Sequence, residues 1–212
     1  MEGVTLHLLS PDWDEPGRPE AFLDTRERER AGRFVRAADA RRWIVFRAKA
    51  KKVLGDHAGG ELLEWREGPG GKPRVELPGL EFNLSHSDRL AALIVSLAGP
   101  VGVDLEPFDR AAGLIECEDS FCHPDELATL PADPLLRGER LLELWTAKEA
   151  LLKAVGTGLQ FPPTEMMIRD DRAEGGPAEC ESFHLLRPRI PAVPAHCLAV
   201  AVRDSVTEVH LA

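Results

Sequence analysis

The sequence has no apolar run long enough to cross a bilayer. Its longest strongly apolar stretch, Leu90 to Val95, has the length of a β-strand, whereas a membrane helix needs about 20 apolar residues. The amino terminus begins with an acidic residue, Glu2, where a secretory signal would carry basic residues ahead of a longer apolar stretch. We therefore expect a cytoplasmic protein without a membrane-spanning segment.

Cysteine is scarce and irregularly spaced. The four cysteines, at positions 117, 122, 180 and 197, form no C-x-x-C pair. A disulfide framework or a zinc site would need a regular or paired spacing. We expect the four thiols to be reduced and structural.

The chain also lacks the net positive charge typical of proteins that bind nucleic acid, since its formal charge is −10. One segment differs. From Arg26 to Lys52, eleven basic residues stand against three acidic ones, which gives this segment +8 and the remaining residues −18. Either a solvated helix face happens to be rich in arginine, or the segment concentrates a field for a phosphorylated or acidic partner.

The 212 residues, 43% of them hydrophobic, are enough for one large domain or two small halves with a real core. Residues 20–54 have helical character and form two helices interrupted at Gly32, the second ending at Gly55. The clearest helix runs from Gly138 to Val155, with Gly156 as its carboxyl-terminal stop.

Three strands are predicted between these helices, over residues 80–85, 90–97 and 101–106, and the short connections favour an antiparallel meander. Period-two alternation puts Asn83 and Ser85 on one face of the first strand. On the third strand it puts Asp104 and Glu106 side by side, opposite the apolar residues. Strands at 182–186 and 197–202 close the second half.

A short internal similarity suggests a duplicated unit. The segment RAKAKKVLG ending at Gly55 resembles KEALLKAVG ending at Gly156, and each precedes an alanine-rich apolar strand, LAALIV and LAVAV. We expect an α+β fold of two similar αβ halves related by a pseudo-twofold axis, each with a small antiparallel sheet packed with helices. The halves would be residues 1–106 and 107–212.

Two sets of acidic residues have the spacing of a cation site. The Asp104 and Glu106 carboxylates would suit Mg²⁺, which takes one or two carboxylates together with phosphate oxygens and water. They are equally compatible with a solvated strand face. Glu149 lies one turn before Lys153 on the long helix, either as a stabilising ion pair or as a third metal oxygen or general base beside a phosphate-binding lysine.

A third cluster lies at the end of the first strand. Asn83, Ser85 and His86 bring polar groups together where they could converge on an anion, although His86 could instead be a turn residue bonded to the backbone. A serine hydrolase is excluded, because no G-x-S-x-G motif surrounds Ser85 or Ser87.

Taken together and in order, these motifs resemble those of the Sfp-type 4′-phosphopantetheinyl transferases. The motifs are FNLSHS from Phe82, GVDLE from Gly102, WTAKEALLK from Trp145 and GTGL from Gly156, with Gly71-Lys72-Pro73 ahead of them. The resemblance implies an Mg²⁺-dependent enzyme that transfers the phosphopantetheine arm of coenzyme A to a serine of an apo acyl or peptidyl carrier protein. It also implies release of adenosine 3′,5′-bisphosphate and a two-lobed monomer with the coenzyme in the cleft.

The resemblance assigns a role to each matching residue. The implied metal ligands are Asp104, Glu106 and Glu149, with Glu149 also the base for the carrier serine. Lys153 is implied as the diphosphate-contacting lysine. The implied coenzyme-binding residues are Arg42 at the 3′-phosphate, its neighbour Arg47, and Lys72, Asn83, Ser85, His86 and Lys153.

The sequence leaves two other functions open. An Mg²⁺-dependent hydrolase of nucleotide diphosphates would direct the acids at water, and a non-catalytic binder of carrier proteins would not require them. Lys148 falls in the apolar stripe of the long helix, and we expect its stem to pack while its ammonium reaches solvent. The sequence leaves open the carrier's pathway and the choice between Mg²⁺ and Mn²⁺.

Overall fold

The computed structural model describes residues 3–68, 72–87, 89–188, 190 and 195–212. The helices are α1 Thr25–Ala31, α2 Ala37–His57, α3 Ala111–Leu114, α4 Pro124–Leu127 and α5 Pro134–Val155. The strands are β1 Val4–Leu9, β2 Trp65–Glu67, β3 Pro73–Val75, β4 Glu81–His86, β5 Ala91–Ser96, β6 Gly102–Pro107, β7 Met166–Arg169, β8 Arg172–Gly175, β9 Phe183–Leu186, β10 His196–Arg203 and β11 Val209–Leu211. The fold is α+β, as predicted.

Two sheets form the centre of the molecule. The first has the order β11-β1-β5-β4, in which only the β1–β11 pair is parallel. The second has the order β6-β10-β9 and is antiparallel. Two separate hairpins, β2-β3 and β7-β8, complete the strands of the described residues.

The two sheets share one core, and each is covered on its other face by a long helix. Between the sheets lie alternate residues of the central strands, among them Val4, Ile94, Val103 and Val200. The intervening residues of β4 and β5 contact α2, and those of β10 contact α5. The resulting order of layers is helix, sheet, sheet, helix, because β5 and β10, each in the interior of its sheet, bury apolar residues on both faces.

The two similar segments lie in the two long helices that cover the sheets. RAKAKKVLG lies in α2 and KEALLKAVG in α5, while the two alanine-rich strands are β5 and β10, each hydrogen-bonded to strands on both sides. This placement agrees with the predicted arrangement of two similar sheet-and-helix halves.

The predicted meander is wrong in its third strand. β4 and β5 form the expected antiparallel pair, but β6 pairs with β10 in the other sheet. The reason is that β5 already has β1 on one edge and β4 on the other, so no edge remains for β6. The boundary after residue 106 stays a proposal, and the β6–β10 and β1–β11 pairs both join strands across it.

Helix boundaries also differ from those predicted. The break at Gly32 between α1 and α2 is present, but α2 continues through Gly55 to His57. A Cβ at Gly55 would lie 2.8 Å from the carbonyl oxygen of Glu61, so this glycine permits a close backbone approach instead of ending the helix. Gly156 does end α5, in the left-handed conformation with φ 93°.

α5 begins four residues earlier than predicted, at Pro134, because Asp133 accepts the Leu135 and Leu136 backbone N–H groups and caps it. β7 and β8 form an antiparallel hairpin that the strand pattern did not predict. Among the described residues no helix combines the length and apolarity that crossing a membrane requires.

Candidate active site

The close packing of β6 on α5 brings the predicted acids together. Gly102, Asp104 and Glu106 point from β6 towards α5, opposite the apolar residues of the strand. A Cβ on Gly102 would lie 2.0 Å from the Ala150 carbonyl oxygen, so only glycine allows this approach. The consequence is that Asp104 comes within ion-pair distance of Lys153 on α5.

We call Asp104, Glu106 and Glu149 the carboxylate cluster. Lys153 lies between two of its members, with Nζ 2.6 Å from Asp104 Oδ1 and 3.5 Å from Glu149 Oε2. Ser85 Oγ donates to the same Asp104 oxygen at 2.8 Å. The structure therefore joins β4, β6 and α5 through side chains that the sequence motifs had singled out.

The cluster is electrostatically strained. Burial raises the pKa of Glu149, and the nearby Asp104 and Glu106 carboxylates raise it further against the opposing effect of Lys153. Burial alone would lower the pKa of Lys153, but Asp104 and Glu149 outweigh burial and the pKa is raised. A positive charge at this position is thus strongly favoured.

Two carboxylate oxygens of the cluster have no hydrogen-bond partner among the described residues. They are Asp104 Oδ2 and Glu149 Oε1, and both are buried. A buried, unpartnered carboxylate oxygen is costly, and hard divalent cations are bound by such oxygens. The donor set therefore fits Mg²⁺ chemistry.

The three acids do not converge as they stand. No group of three or more His, Cys, Asp or Glu side chains in the described ranges is arranged to hold a metal ion. The reason is visible in the contacts: Lys153 holds one oxygen of Asp104, and Arg110 is ion-paired with Glu106. The assignment of the metal ligands stays a prediction.

Beside the cluster lies a groove of about 870 Å³, which we call the basic groove. Its charged or titratable lining residues come from α2, from the ends of β4 and β6, and from the turn after β6: Arg36, Asp39, Arg42, His86, Glu106, Asp109 and Arg110. Burial lowers the pKa of His86, as do Lys153, Arg30 and Arg42. The predicted residues Arg42 and His86 thus meet in one groove. Its three arginines are matched by three carboxylates, and the positive charges of Lys153, Arg30 and Arg42 favour an anion close to His86.

Arg47 is not brought to the basic groove. Its guanidinium is 2.5 Å from Glu27 Oε1 and lies 3.8 Å from the ring centroid of Trp65, where it is largely buried. Lys51 shares the same carboxylate at 2.5 Å. Glu27 and these two cations link α1 to α2. This structural role could not be inferred from the number of basic residues between Arg26 and Lys52.

Lys72 and Asn83 are also held by the protein itself. Lys72 Nζ donates to the backbone oxygens of Val101 and Ala154, at 3.2 and 3.4 Å, beside a second cavity of about 590 Å³. Asn83 Oδ1 accepts the Val103 N–H at 2.9 Å and bridges the adjoining edges of the two sheets. Gly71 of the Gly-Lys-Pro motif lies outside the described residues.

The expectation for Lys148 is wrong. Its side chain does not reach solvent: Nζ is fully buried and donates to Glu126 Oε2 at 2.6 Å and to the carbonyl oxygens of Phe121 and Pro163 at 2.8 and 3.0 Å. A partner 22 residues away in sequence replaces water here. The sequence signal for this burial was the position of Lys148 in the apolar stripe of the helix. That position indicates a buried side chain more directly than one whose ammonium reaches solvent.

Sequence reasoning also missed Arg110. It lies four residues after Glu106, lines the basic groove, and has its guanidinium 5.7 Å from the ring centroid of Trp145. The spacing of Glu106 and Arg110 was visible in the sequence, but the turn between them had no recognised pattern.

Comparison with known proteins agrees with this geometry. The family model of the 4′-phosphopantetheinyl transferase superfamily matches residues 100–196, which include β6, α5 and the carboxylate cluster. A 4′-phosphopantetheinyl transferase from Bacillus subtilis is 32% identical over 161 residues, covering 73% of this chain and 70% of the relative. The 4′-phosphopantetheinyl transferase HetI from Nostoc sp. is 34% identical over 165 residues, with coverage of 73% and 70%.

A third relative extends the similarity over nearly the whole chain. This 4′-phosphopantetheinyl transferase from Bacillus pumilus is 29% identical over 205 residues, covering 90% of the chain and 83% of the relative. The similarity thus includes both sheets and both long helices, together with the motifs that build the cluster. The chain therefore belongs to the 4′-phosphopantetheinyl transferase superfamily.

Proposed function

We propose that this 4′-phosphopantetheinyl transferase moves the phosphopantetheine arm of coenzyme A onto a serine of an apo acyl or peptidyl carrier protein and releases adenosine 3′,5′-bisphosphate. The observation that supports this most is the position of the carboxylate cluster next to the basic groove, with Glu106 belonging to both. In this transfer the serine oxygen forms a bond to the phosphorus that carries the arm, the bond from that phosphorus to the bridging diphosphate oxygen breaks, and the serine proton goes to a base. Such a step needs positioned cations and a nearby proton acceptor more than covalent help from the protein.

The basic groove is the proposed seat of the nucleotide end of coenzyme A. Arg42 would contact the 3′-phosphate, and His86 and Ser85 would contact phosphate oxygens. Arg42 is paired with Asp39 at 2.5 Å, and both side chains are partly exposed to the groove. Arg47, Lys72 and Asn83, the other proposed coenzyme-binding residues, are bonded to protein groups outside the basic groove.

Asp104, Glu106 and Glu149 are the proposed ligands of a divalent cation, either Mg²⁺ or Mn²⁺. When bound, the cation would neutralise charge on the diphosphate of the substrate. Lys153 would hold a diphosphate oxygen, and Glu149 would accept the proton of the carrier serine. The raised pKa of Glu149 is consistent with a carboxylate that takes up a proton more readily than an exposed one.

The remaining parts of the proposal concern the whole chain. We propose two αβ halves, residues 1–106 and 107–212, acting as a monomer in the cytoplasm. The carriers belong to fatty-acid, polyketide or nonribosomal peptide synthesis, and the fold alone does not select among them.

The test is mass spectrometry of a panel of apo-carrier proteins incubated with coenzyme A and Mg²⁺. We expect at least one carrier to gain the phosphopantetheine arm, and Asp104→Asn and Glu149→Gln to abolish the gain. Arg140→Ala is the matched control, because Arg140 pairs with Glu143 on the exposed side of α5. Undiminished transfer by either acid variant would contradict the assigned site.

The same assay separates the alternatives. A hydrolase would consume coenzyme A without any carrier, whereas a transferase leaves it intact until an apo-carrier is added. A non-catalytic binder would retain the carrier without modifying it.

The role of Arg42 has its own test. We expect Arg42→Ala to weaken binding of coenzyme A, measured by isothermal titration calorimetry, and to change binding of dephospho-coenzyme A much less, because that analogue lacks the 3′-phosphate. An equal loss of affinity for both ligands would contradict contact with the 3′-phosphate.

A further inference from the structure

Arg110 connects the carboxylate cluster to the basic groove. It is ion-paired with Glu106, whose side chain is 15% exposed, while the side chain of Arg110 is 46% exposed and lines the groove with Arg36 and Arg42. Lys153 is ion-paired with the other two acids of the cluster. Arg110 therefore compensates the one carboxylate that Lys153 does not.

The guanidinium is held in a second way. It lies over the ring of Trp145, 5.7 Å from the centroid, and Trp145 is one helical turn before Glu149 on α5. An arginine over an indole face keeps its position while its hydrogen bonds change partner, since the ring attracts the cation without using its N–H groups. Arg110 can thus exchange one anion for another with little movement.

We propose that Arg110 is an exchangeable counter-ion of the site. It neutralises Glu106 while the carboxylate cluster holds no divalent cation, and it binds an anionic phosphate oxygen of the nucleotide substrate once a cation recruits Glu106. This inference rests on the proposed function, because it takes coenzyme A as the nucleotide and Glu106 as a metal ligand.

The physical basis is that a guanidinium has only donors and needs an anion in a partly enclosed groove. A divalent cation that draws Glu106 towards Asp104 and Glu149 removes the anion that Arg110 contacts. The proposal predicts opposite effects of the same substitution on the two ligands. Loss of Arg110 frees Glu106 for the metal ion and takes one cation from the nucleotide.

The experiment measures both ligands on the full chain. Mn²⁺ binding without nucleotide is followed by electron paramagnetic resonance of the free ion, and coenzyme A binding at saturating Mn²⁺ by calorimetry. For Arg110→Gln, which keeps a long planar side chain over Trp145, we expect Mn²⁺ to bind about threefold more tightly. We expect coenzyme A to bind about tenfold more weakly.

Two further variants serve as controls. One removes a positive charge elsewhere on the protein, and the other replaces the guanidinium of Arg110 but keeps its charge. Arg140→Ala removes an arginine with a glutamate partner outside the groove and should change neither affinity. Arg110→Lys keeps the charge and should retain most of the coenzyme A affinity. Circular dichroism confirms that each variant is folded, and Arg110→Ala serves as a second deletion if the glutamine variant is not.

The proposal is overturned if Arg110→Gln binds Mn²⁺ no more tightly than the unmodified protein, or if its affinity for coenzyme A is unchanged. An unchanged affinity for coenzyme A would mean that, in the unmodified protein, the guanidinium released from Glu106 contacts a protein carboxylate such as Asp109 and not the nucleotide. Failure of the unmodified protein to bind coenzyme A at all would instead contradict the proposed function, so the two failures are distinguishable.

Discussion

At the scale of single residues, Gly102 decides how closely β6 approaches α5. No other residue fits, because a Cβ would lie 2.0 Å from the Ala150 carbonyl oxygen and 2.5 Å from the Ala154 backbone nitrogen. Neither contact can be relieved by a change of rotamer, since both atoms belong to the helix backbone. The distance between Asp104 and Lys153 depends on this approach.

We therefore predict that Gly102→Ala lowers the free energy of unfolding by about 3 kcal/mol or more and removes transfer activity. The control is Gly113→Ala in α3, where a Cβ meets nothing within 4 Å. It should leave stability unchanged or raise it by up to about 1 kcal/mol, since alanine is the better helix former. Urea unfolding measures both, and a Gly102→Ala variant as stable as the unmodified protein would contradict the prediction.

The cysteines differ in reactivity by their surroundings. Burial raises the pKa of Cys122 to about 12 and that of Cys180 to about 11. Burial also raises the pKa of Cys197, while Cys117 is exposed. Because the thiolate is the reactive form, buried thiols with raised pKa values react slowly.

We predict that a thiol reagent at pH 8 modifies one cysteine rapidly in the native protein and all four after denaturation. The Cys117→Ser variant should lose the rapid phase and keep the slow reaction of the others. The reaction is measured by the absorbance of the chromophore that the reagent releases. A rapid phase that persists in the Cys117→Ser variant would show that another thiol is accessible.

At the scale of secondary-structure elements, α5 is fixed by a buried ion pair. Lys148 bonds to Glu126 at the start of α4, and Glu126 also accepts the backbone N–H of Ile168 in β7 at 2.7 Å. One pair of side chains thus joins a helix that carries Glu149 to two segments on either side of it in sequence. Removing one partner leaves the other as an uncompensated buried charge.

We predict that Lys148→Met lowers the free energy of unfolding by about 3–5 kcal/mol. The double variant Lys148→Met with Glu126→Gln should regain part of this loss, because glutamine removes the uncompensated charge and still offers an oxygen to the Ile168 N–H. Arg140→Ala, which breaks an exposed pair with Glu143, should change stability by less than about 1 kcal/mol. Denaturant titration distinguishes these cases. A Lys148→Met variant as stable as the Arg140→Ala control would show that the buried pair does not stabilise the fold.

At the scale of the whole molecule, the core between the two sheets crosses the proposed boundary between the halves. It takes residues from both halves, and β11 at the end of the chain pairs with β1 at its beginning. A half of about 100 residues that exposes such a surface has little stability of its own.

We predict that fragments 1–98 and 99–212, divided in the turn between β5 and β6, do not unfold cooperatively when expressed alone. Mixed in equal amounts, they should associate and regain a cooperative transition, because association restores the shared core. Thermal circular dichroism and size-exclusion chromatography check this. A fragment that melts cooperatively by itself, near the temperature of the full chain, would show an independent domain.

Local pattern was sufficient to predict several features. Alternation within a strand predicted that Asn83 shares a face with Ser85, and that Asp104 and Glu106 lie opposite the apolar residues, since a strand's faces depend only on its own periodicity. Helical periodicity predicted α5 and its end at Gly156. The order of four short motifs was enough to indicate the family, because each motif is contiguous in sequence.

Other features were decided by contacts between distant parts of the chain. The sheet partner of β6 depends on which strands already occupy the edges of β5. The partners of Arg47, Lys72 and Lys148 lie at least 15 residues away, so a pattern read within one helix or loop could not identify them.

The sequence by itself determined the two long helices, five of the strands, the polar and apolar faces of β4 and β6, and the residue types available for catalysis, since these follow from short-range periodicity. Only the tertiary structure decided which cations meet the carboxylate cluster and which stabilise the fold. The physical reason is that a charged side chain takes whichever opposite charge or backbone carbonyl lies nearest once the core has formed, and that neighbour is set by long-range contacts.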